Sequence, residues 1–394
     1  MGRQKIRYLT VLGNIFNVMC LLPMDNRRLK IRSLVLLYHI AILVLLLLRL
    51  AGEFMDFVQH INHTYDWPRI ASIMILTIMS ILRIFLYAQR KEKNLRILQL
   101  WEKLFTKNLK LGTRIEDIQK DIRTCNMYSL AMIVATMGGT MHWALYPLVL
   151  GYFTPGKRVL PLRTWYPIDL YSSPTYEIVY AFQFIGTLLT TYNPALSATS
   201  FLTFSILVQK QVQELKKQLK AIGVTGKHIG ASVEPLGERR QMIEADVLRC
   251  IKFHSGIIRF VREMQNYYSS VLVIEYLSFT LPLCFTIIEA TSGSLHDSIA
   301  WAEFFVTCSL TILLYCWNGS RLTLQLLSIQ DAISEALCGH LTNEMRWNLR
   351  FMMHQSNVEF TVTGGRLFIT SMETFKNLIG FAVSNYLFFK ELKG

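Results

Sequence analysis

The chain has 394 residues, 52% hydrophobic and 17% charged, with a formal net charge of +14. Soluble proteins of this size carry a charged fraction nearer a quarter, so the composition points to a membrane protein. The basic residues lie in blocks between apolar stretches and do not cluster on a soluble domain, a pattern of membrane topology that leaves no nucleic-acid module visible.

In chain order, Tyr8 to Met24 is a short apolar stretch behind a basic start. It lacks a small-residue cleavage site and runs into Arg27, Arg28, Lys30 and Arg32, so it reads as an uncleaved cytoplasmic or interfacial segment, not a signal peptide. A spanning helix needs about 20 mostly apolar residues. Such runs occur at Ser33 to Gly52, Pro68 to Ala88, Cys125 to Leu150, Thr175 to Val208, Tyr267 to Ile288, Ile299 to Leu322 and Thr374 to Phe389, predicting seven spans.

The orientation follows from Lys and Arg. Residues 1–32 hold seven, 89–124 ten and 209–253 nine, whereas 53–67 and 289–298 hold none and 151–174 three. A ratio of 26 to 3 predicts a cytoplasmic amino terminus and an extracellular carboxyl terminus. This is the reverse of a G-protein-coupled receptor. The cysteines at 20, 125, 250, 284, 308, 316 and 338 avoid the predicted outer loops, so no disulfide staples them to a helix top. Asn62-His63-Thr64 in the first outer loop is a glycosylation triplet, and Asn193-Pro194 predicts a local kink in the fourth span.

Apolar residues continue at helical spacing beyond the membrane. Val212, Leu215, Leu219 and Ile222 follow span four, and Ile243, Val247, Ile251 and Ile258 precede span five. Leu322, Leu326, Ile329, Ile333 and Leu337 follow span six. Gly223 to Gly237 reads as a flexible loop, Asn343 to Gln355 as a short helix, and Gly364-Gly365 as a break before the last span. These stripes need partners, supplied within one subunit or between subunits. The expected fold is an all-α membrane protein with seven transmembrane helices and a helical cytoplasmic anchor bundle. Its expected parts are a cytoplasmic segment at 1–32, spans one to four in 33–208, cytoplasmic extensions at 209–266, spans five and six in 267–322, anchor helices at 323–365, and the last span with an extracellular end at 366–394.

In the last span Gly380, Ser384, Phe388 and Glu391 share one stripe, small and polar but for one ring. Such a stripe is costly against lipid, and either pore lining or helix contact answers it. In the third span Thr136, Gly139 and Trp143 set a hydroxyl, a gap and an aromatic wall on one face, as a compact apolar ligand requires. Further walls are expected from Ile73, Leu76 and Thr77, from Tyr176, Tyr180 and Phe184, and from Phe304 and Thr307, although for any single aromatic packing is the preferred reading. Of the intramembrane charges, Arg83 lies close enough to the inner edge to reach headgroups; buried pairing and a charge partner for the ligand are the other readings for it and for Glu275 and Glu303, and none is assigned a function. The histidines show no metal spacing, and the Gly-x-x-x-x-Gly-Lys, His-Glu-x-x-His, Cys-x-x-Cys and Gly-x-Ser-x-Gly signatures are lacking, so neither an enzyme nor a cofactor or metal is expected.

The run from Tyr315 to Leu392 resembles the end of an insect odorant receptor. The features are Tyr315-Cys316, Trp347 in the short helix, Thr363-Gly364-Gly365, then Ser371, Phe375 and Ser384-Asn385-Tyr386. The gustatory Thr-Tyr and Gln-Phe pattern is missing, as is the long insertion before helix five of the shared co-receptor, so the chain is similar to a ligand-tuned subunit. The resemblance implies a ligand-gated, non-selective cation channel of four subunits, shared with the co-receptor, in the plasma membrane of a sensory neuron dendrite. It implies a small volatile odorant as ligand, monovalent and divalent cations as permeant ions, and membrane lipid around the spans. It also matches Phe388 and Leu392 to a hydrophobic constriction, Glu391 to a polar mouth, and the third-span triplet to a pocket. The competing expectations are a G-protein-coupled or gustatory-type chemoreceptor and a secondary transporter, the last without the internal repeats it normally shows.

Overall fold

A computed structural model describes residues 29–61, 67–110, 115–153, 158–227, 236–292, 295–357 and 360–393. The segment Tyr8 to Met24 and the triplet at Asn62 lie outside the described residues. Helix follows helix: α1 (Leu29–His60), α2 (Trp67–Gln89), α3 (Lys91–Lys110), α4 (Ile115–Phe153), α5 (Thr175–Lys227), α6 (Leu236–Ser292), α7 (Leu295–Leu327), α8 (Ile329–Leu337) and α9 (Asn343–Ser356). A two-stranded antiparallel hairpin, β1 (Thr363–Gly364) and β2 (Phe368–Ile369), then leads into α10 (Met372–Lys393).

Each predicted span falls on a helix. Among the described residues, four stretches are long and apolar enough to cross a membrane: Pro68–Gln89, Ile122–Phe153, Arg240–Ile287 and Ser298–Leu337. They coincide with the second, third, fifth and sixth predicted spans. The 53 residues of α5 and the 57 of α6 make rods of about 80 and 85 Å, at ~1.5 Å per residue. Both exceed the ~30 Å of a bilayer's hydrocarbon core more than twofold, so each must project well beyond it.

Helix α5 is the centre, packed by α1, α2, α4, α6, α7 and α8. Toward the basic end, the stripe of Val212, Leu215, Leu219 and Ile222 is buried. It joins Ile243 and Val247 of α6, Leu322 and Leu326 of α7, and Ile329 and Ile333 of α8 in one continuous core. Most of each stripe is thus covered within one subunit, while Ile251, Ile258 and Leu337 stay partly exposed.

Two readings are corrected here. Gly223 is helical: α5 runs on to Lys227, and α8 packs against it so closely that a Cβ on Gly223 would lie 2.8 Å from the Glu335 carbonyl oxygen. The glycine marks a helix crossing rather than a loop. Arg83, for its part, is 1% exposed and does not reach headgroups. Its Nε lies 2.7 Å from Glu275 Oε1 and its Nη2 donates to Ser278 Oγ at 2.9 Å.

A candidate ligand cavity between α2, α4, α5 and α7

A cavity of about 140 Å³ opens where α2, α4, α5 and α7 converge. Of the predicted pocket residues, Ile73, Leu76, Thr136, Gly139, Trp143, Phe304 and Thr307 line it. The rings of Trp143 and Trp301 meet edge to face at 5.3 Å, and Trp301 meets Phe304 in the same way at 5.9 Å, so three aromatics form one corner.

Thr77, Tyr176, Tyr180 and Phe184 lie off this wall. Thr77 donates to Glu53 Oε1 at 3.1 Å, behind the cavity. The Tyr180 hydroxyl donates to the Ala144 carbonyl, and the Tyr176 hydroxyl to the Val159 carbonyl at 3.0 Å. Both tyrosines therefore tie α5 to its neighbours. Phe184 is partly buried on α5 outside the lining.

The wall also holds residues that periodicity did not single out. Arg49 of α1 is buried, its Nε 2.7 Å from Glu53 Oε1 and its Nη1 donating to Thr187 Oγ1 at 3.2 Å. Gly186 leaves it room, since a Cβ there would come within 3.1 Å of Arg49 Cδ. Glu303 of α7 faces α4: its Oε2 lies 2.7 Å from His142 Nδ1, and its Oε1 would stand 3.1 Å from a Cβ on Gly139. The gap read at Gly139 is therefore partly filled by a carboxylate. A polar side chain on an apolar stretch was the available signal, but nothing in the sequence set Arg49 beside α5 or Glu303 beside α4.

The segment 158–174 covers one side. Leu162 is buried on the cavity wall. Gln183 of α5 clamps it, donating from Nε2 to the Leu162 carbonyl and accepting from the Leu162 N–H, both at 3.1 Å. Pro194 also lines the cavity. Having no N–H, it cannot bond the carbonyl of Thr190 one turn back. That carbonyl accepts from Ser80 Oγ of α2 at 3.2 Å instead.

Helix α10 stands apart from the cavity. Ala382 is buried, and Phe375, Leu378 and Ile379 pack with it against α6 and α7. Asn385 approaches Cys284 Sγ at 3.5 Å on the same side. The opposite face carries Gly380, Ser384, Phe388 and Glu391, all exposed in the single chain, with Phe388 at 58%. Leu392 lies on the last turn of α10, and its side chain is outside the described set.

The model of the family described as "7tm Odorant receptor" matches residues 70–383. Odorant receptor Or2 of Anopheles gambiae is 25% identical over 245 residues, a match covering 61% of this chain and 62% of that relative, under two thirds of its length. The odorant receptor coreceptor of the same mosquito is 18% identical over 302 residues, covering 59% of this chain and 63% of the relative. The fold is that of the insect olfactory receptor OR5 from Machilis hrabei, solved in complex with eugenol, with a TM-score of 0.79, 15% identity and 98% of each chain covered. With the family model extending over most of its length, this membrane protein belongs to the insect odorant receptor family.

Proposed function

We propose that the chain is the odorant-binding subunit of a heteromeric, ligand-gated, non-selective cation channel in the plasma membrane of olfactory sensory neurons. Seven helices cross the bilayer, from a cytoplasmic amino terminus to an extracellular carboxyl terminus. The subunit joins the co-receptor in a tetramer, and α10 of each subunit borders the pore.

The observation that carries the reading is the apolar cavity with an aromatic corner, the kind of site a small volatile molecule needs. The face of α10 left uncovered by its own subunit supports the pore assignment, because a small and polar stripe is costly against acyl chains. A ligand favours opening by no more than the difference in its affinity for the shut and open states.

The test is co-expression with the co-receptor and recording of currents across a volatile panel. Substitution of Trp143 should retune odorant potency, and substitution of Phe388 or Glu391 should alter ion selectivity. If Trp143 and Thr136 variants leave the potency of every odorant unchanged, the cavity is not the binding site. Unaltered selectivity in both α10 variants would remove that helix from the pore.

A further inference from the structure

The hydroxyls on the cavity wall share one property: each has already given its proton away. Ser72 donates to the Pro68 carbonyl at 2.8 Å, Thr136 to Met132 at 2.6 Å, and Thr140 to Thr136 at 2.9 Å. On α5, Thr187 donates to Gln183 at 2.8 Å, while Thr190 and Thr191 both donate to Thr187, at 2.9 and 2.8 Å. On α7, Thr307 donates to Glu303 at 2.9 Å and Thr311 to Thr307 at 2.8 Å. A carbonyl only accepts, so the direction of each bond is fixed.

A hydroxyl has one proton and two lone pairs. With the proton turned back onto its own helix, each group offers the cavity lone pairs, and each threonine a methyl as well. The Glu303 carboxylate adds further acceptors to the same wall. The standing donors are fewer: Arg49, engaged by Glu53 and Thr187, the indole N–H groups of Trp143 and Trp301, and the weakly donating Cys308 thiol. A ligand with an O–H therefore adds a hydrogen bond to those already made. A ligand that only accepts is confined to those few standing donors, since from any of the hydroxyls it must draw a proton off a helix carbonyl, exchanging one bond for another with little net gain.

We propose that this cavity selects compact hydrogen-bond donors, alcohols and phenols about one aromatic ring in size, over odorants of equal bulk that only accept, such as aldehydes, ketones and esters. The size follows from the volume of about 140 Å³, close to the ~150 Å³ of an apolar cavity that takes benzene. The inference rests on the cavity being the odorant site.

Benzyl alcohol, benzaldehyde and ethylbenzene have the same number of non-hydrogen atoms and test it directly. On the receptor co-expressed with its co-receptor, benzyl alcohol should act at a concentration about tenfold below that of benzaldehyde. Glu303→Gln, which adds an amide donor, should narrow that gap by improving benzaldehyde. The isosteric Thr136→Val and Thr307→Val should narrow it by weakening benzyl alcohol. Ligand-induced thermal stabilisation of the purified wild-type complex should give the same ranking, independently of channel opening and of any variant's folding. Equal or better binding of benzaldehyde, absence of binding by benzyl alcohol, or a gap that all three substitutions leave unchanged would overturn the proposal. If Trp143 substitutions shift all three ligands while no donor preference exists, the site stands and this inference alone falls. If they shift none, the site reading falls and takes the inference with it.

Discussion

Among single residues, Arg83 and Glu275 have the most at stake, because both charges are buried and each is the other's counter-ion. Removing one partner strands the other. Arg83→Met alone is expected to cost about 3–5 kcal/mol of stability, while the double variant Arg83→Met with Glu275→Leu should recover most of it. Thermal unfolding of the purified chain in detergent measures both. His254 gives a pH-dependent counterpart on the part of α6 that precedes the predicted membrane span. Ser356 Oγ donates to the Met352 carbonyl at 3.0 Å, so His254 Nε2, 2.9 Å away, must donate to Ser356. Its Nδ1 is buried without a hydrogen-bond partner. Burial lowers the imidazole from 6.5 to about 4. The unfolded chain takes up this proton near its ordinary value and the folded chain does not until about pH 4. Stability is therefore full above pH 6.5 and declines as pH falls toward 4, by about 3 kcal/mol in all. His254→Met should flatten that acid limb in unfolding scans from pH 7 to 4. The sequence exposed these residues unequally. A charge within an apolar run is visible, and so the Arg83 and Glu275 question was legible. The answer was not, since 192 residues separate the partners.

At the scale of elements, periodicity was a good guide wherever a helix buries one face. The stripes around Val212, Ile243 and Leu322 follow 3.6-residue spacing, and most of their positions became core, with Ile251, Ile258 and Leu337 only partly buried. Glycine misled at Gly223, because the same residue marks a turn or a close helix crossing and only the neighbour decides. Gly223→Val should therefore push α8 off α5 and destabilise the chain by about 1–3 kcal/mol, read as a lower thermal midpoint. Gly364-Gly365 was rightly taken as a break, but its form was hidden. Gly365 and Arg366 have φ of +58° and +61°, and the Leu367 N–H bonds the Gly364 carbonyl at 2.8 Å, which makes a turn with two left-handed residues. A side chain on Gly364 would collide with the Phe368 ring. The pocket was half legible for a related reason. Residues sharing a face of one helix, such as Thr136, Gly139 and Trp143, could be paired by spacing, whereas the contributions of Arg49, Trp301 and Glu303 depend on how helices meet.

For the whole molecule, the testable quantity is which side each end faces. Cys338 is exposed just past α8, at the basic end, whereas Cys250 is buried and its thiol is pushed up to about 12, chiefly by that burial. A membrane-impermeant maleimide should thus spare Cys338 on intact cells and label it after permeabilisation, with Cys250 silent in both. Labelling of Cys338 on intact cells would reverse the proposed orientation. Pro194, where the helix lacks one backbone hydrogen bond, matters at this scale too. Beyond it α5 continues as one shaft to Lys227, about 50 Å at ~1.5 Å per residue. A bend of about 2° at that position would carry the far tip nearly 2 Å by the same rise. Geometry alone thus turns a small change of angle beside the hollow into a stroke at the far tip, where the proposed tetramer would place a neighbouring protomer.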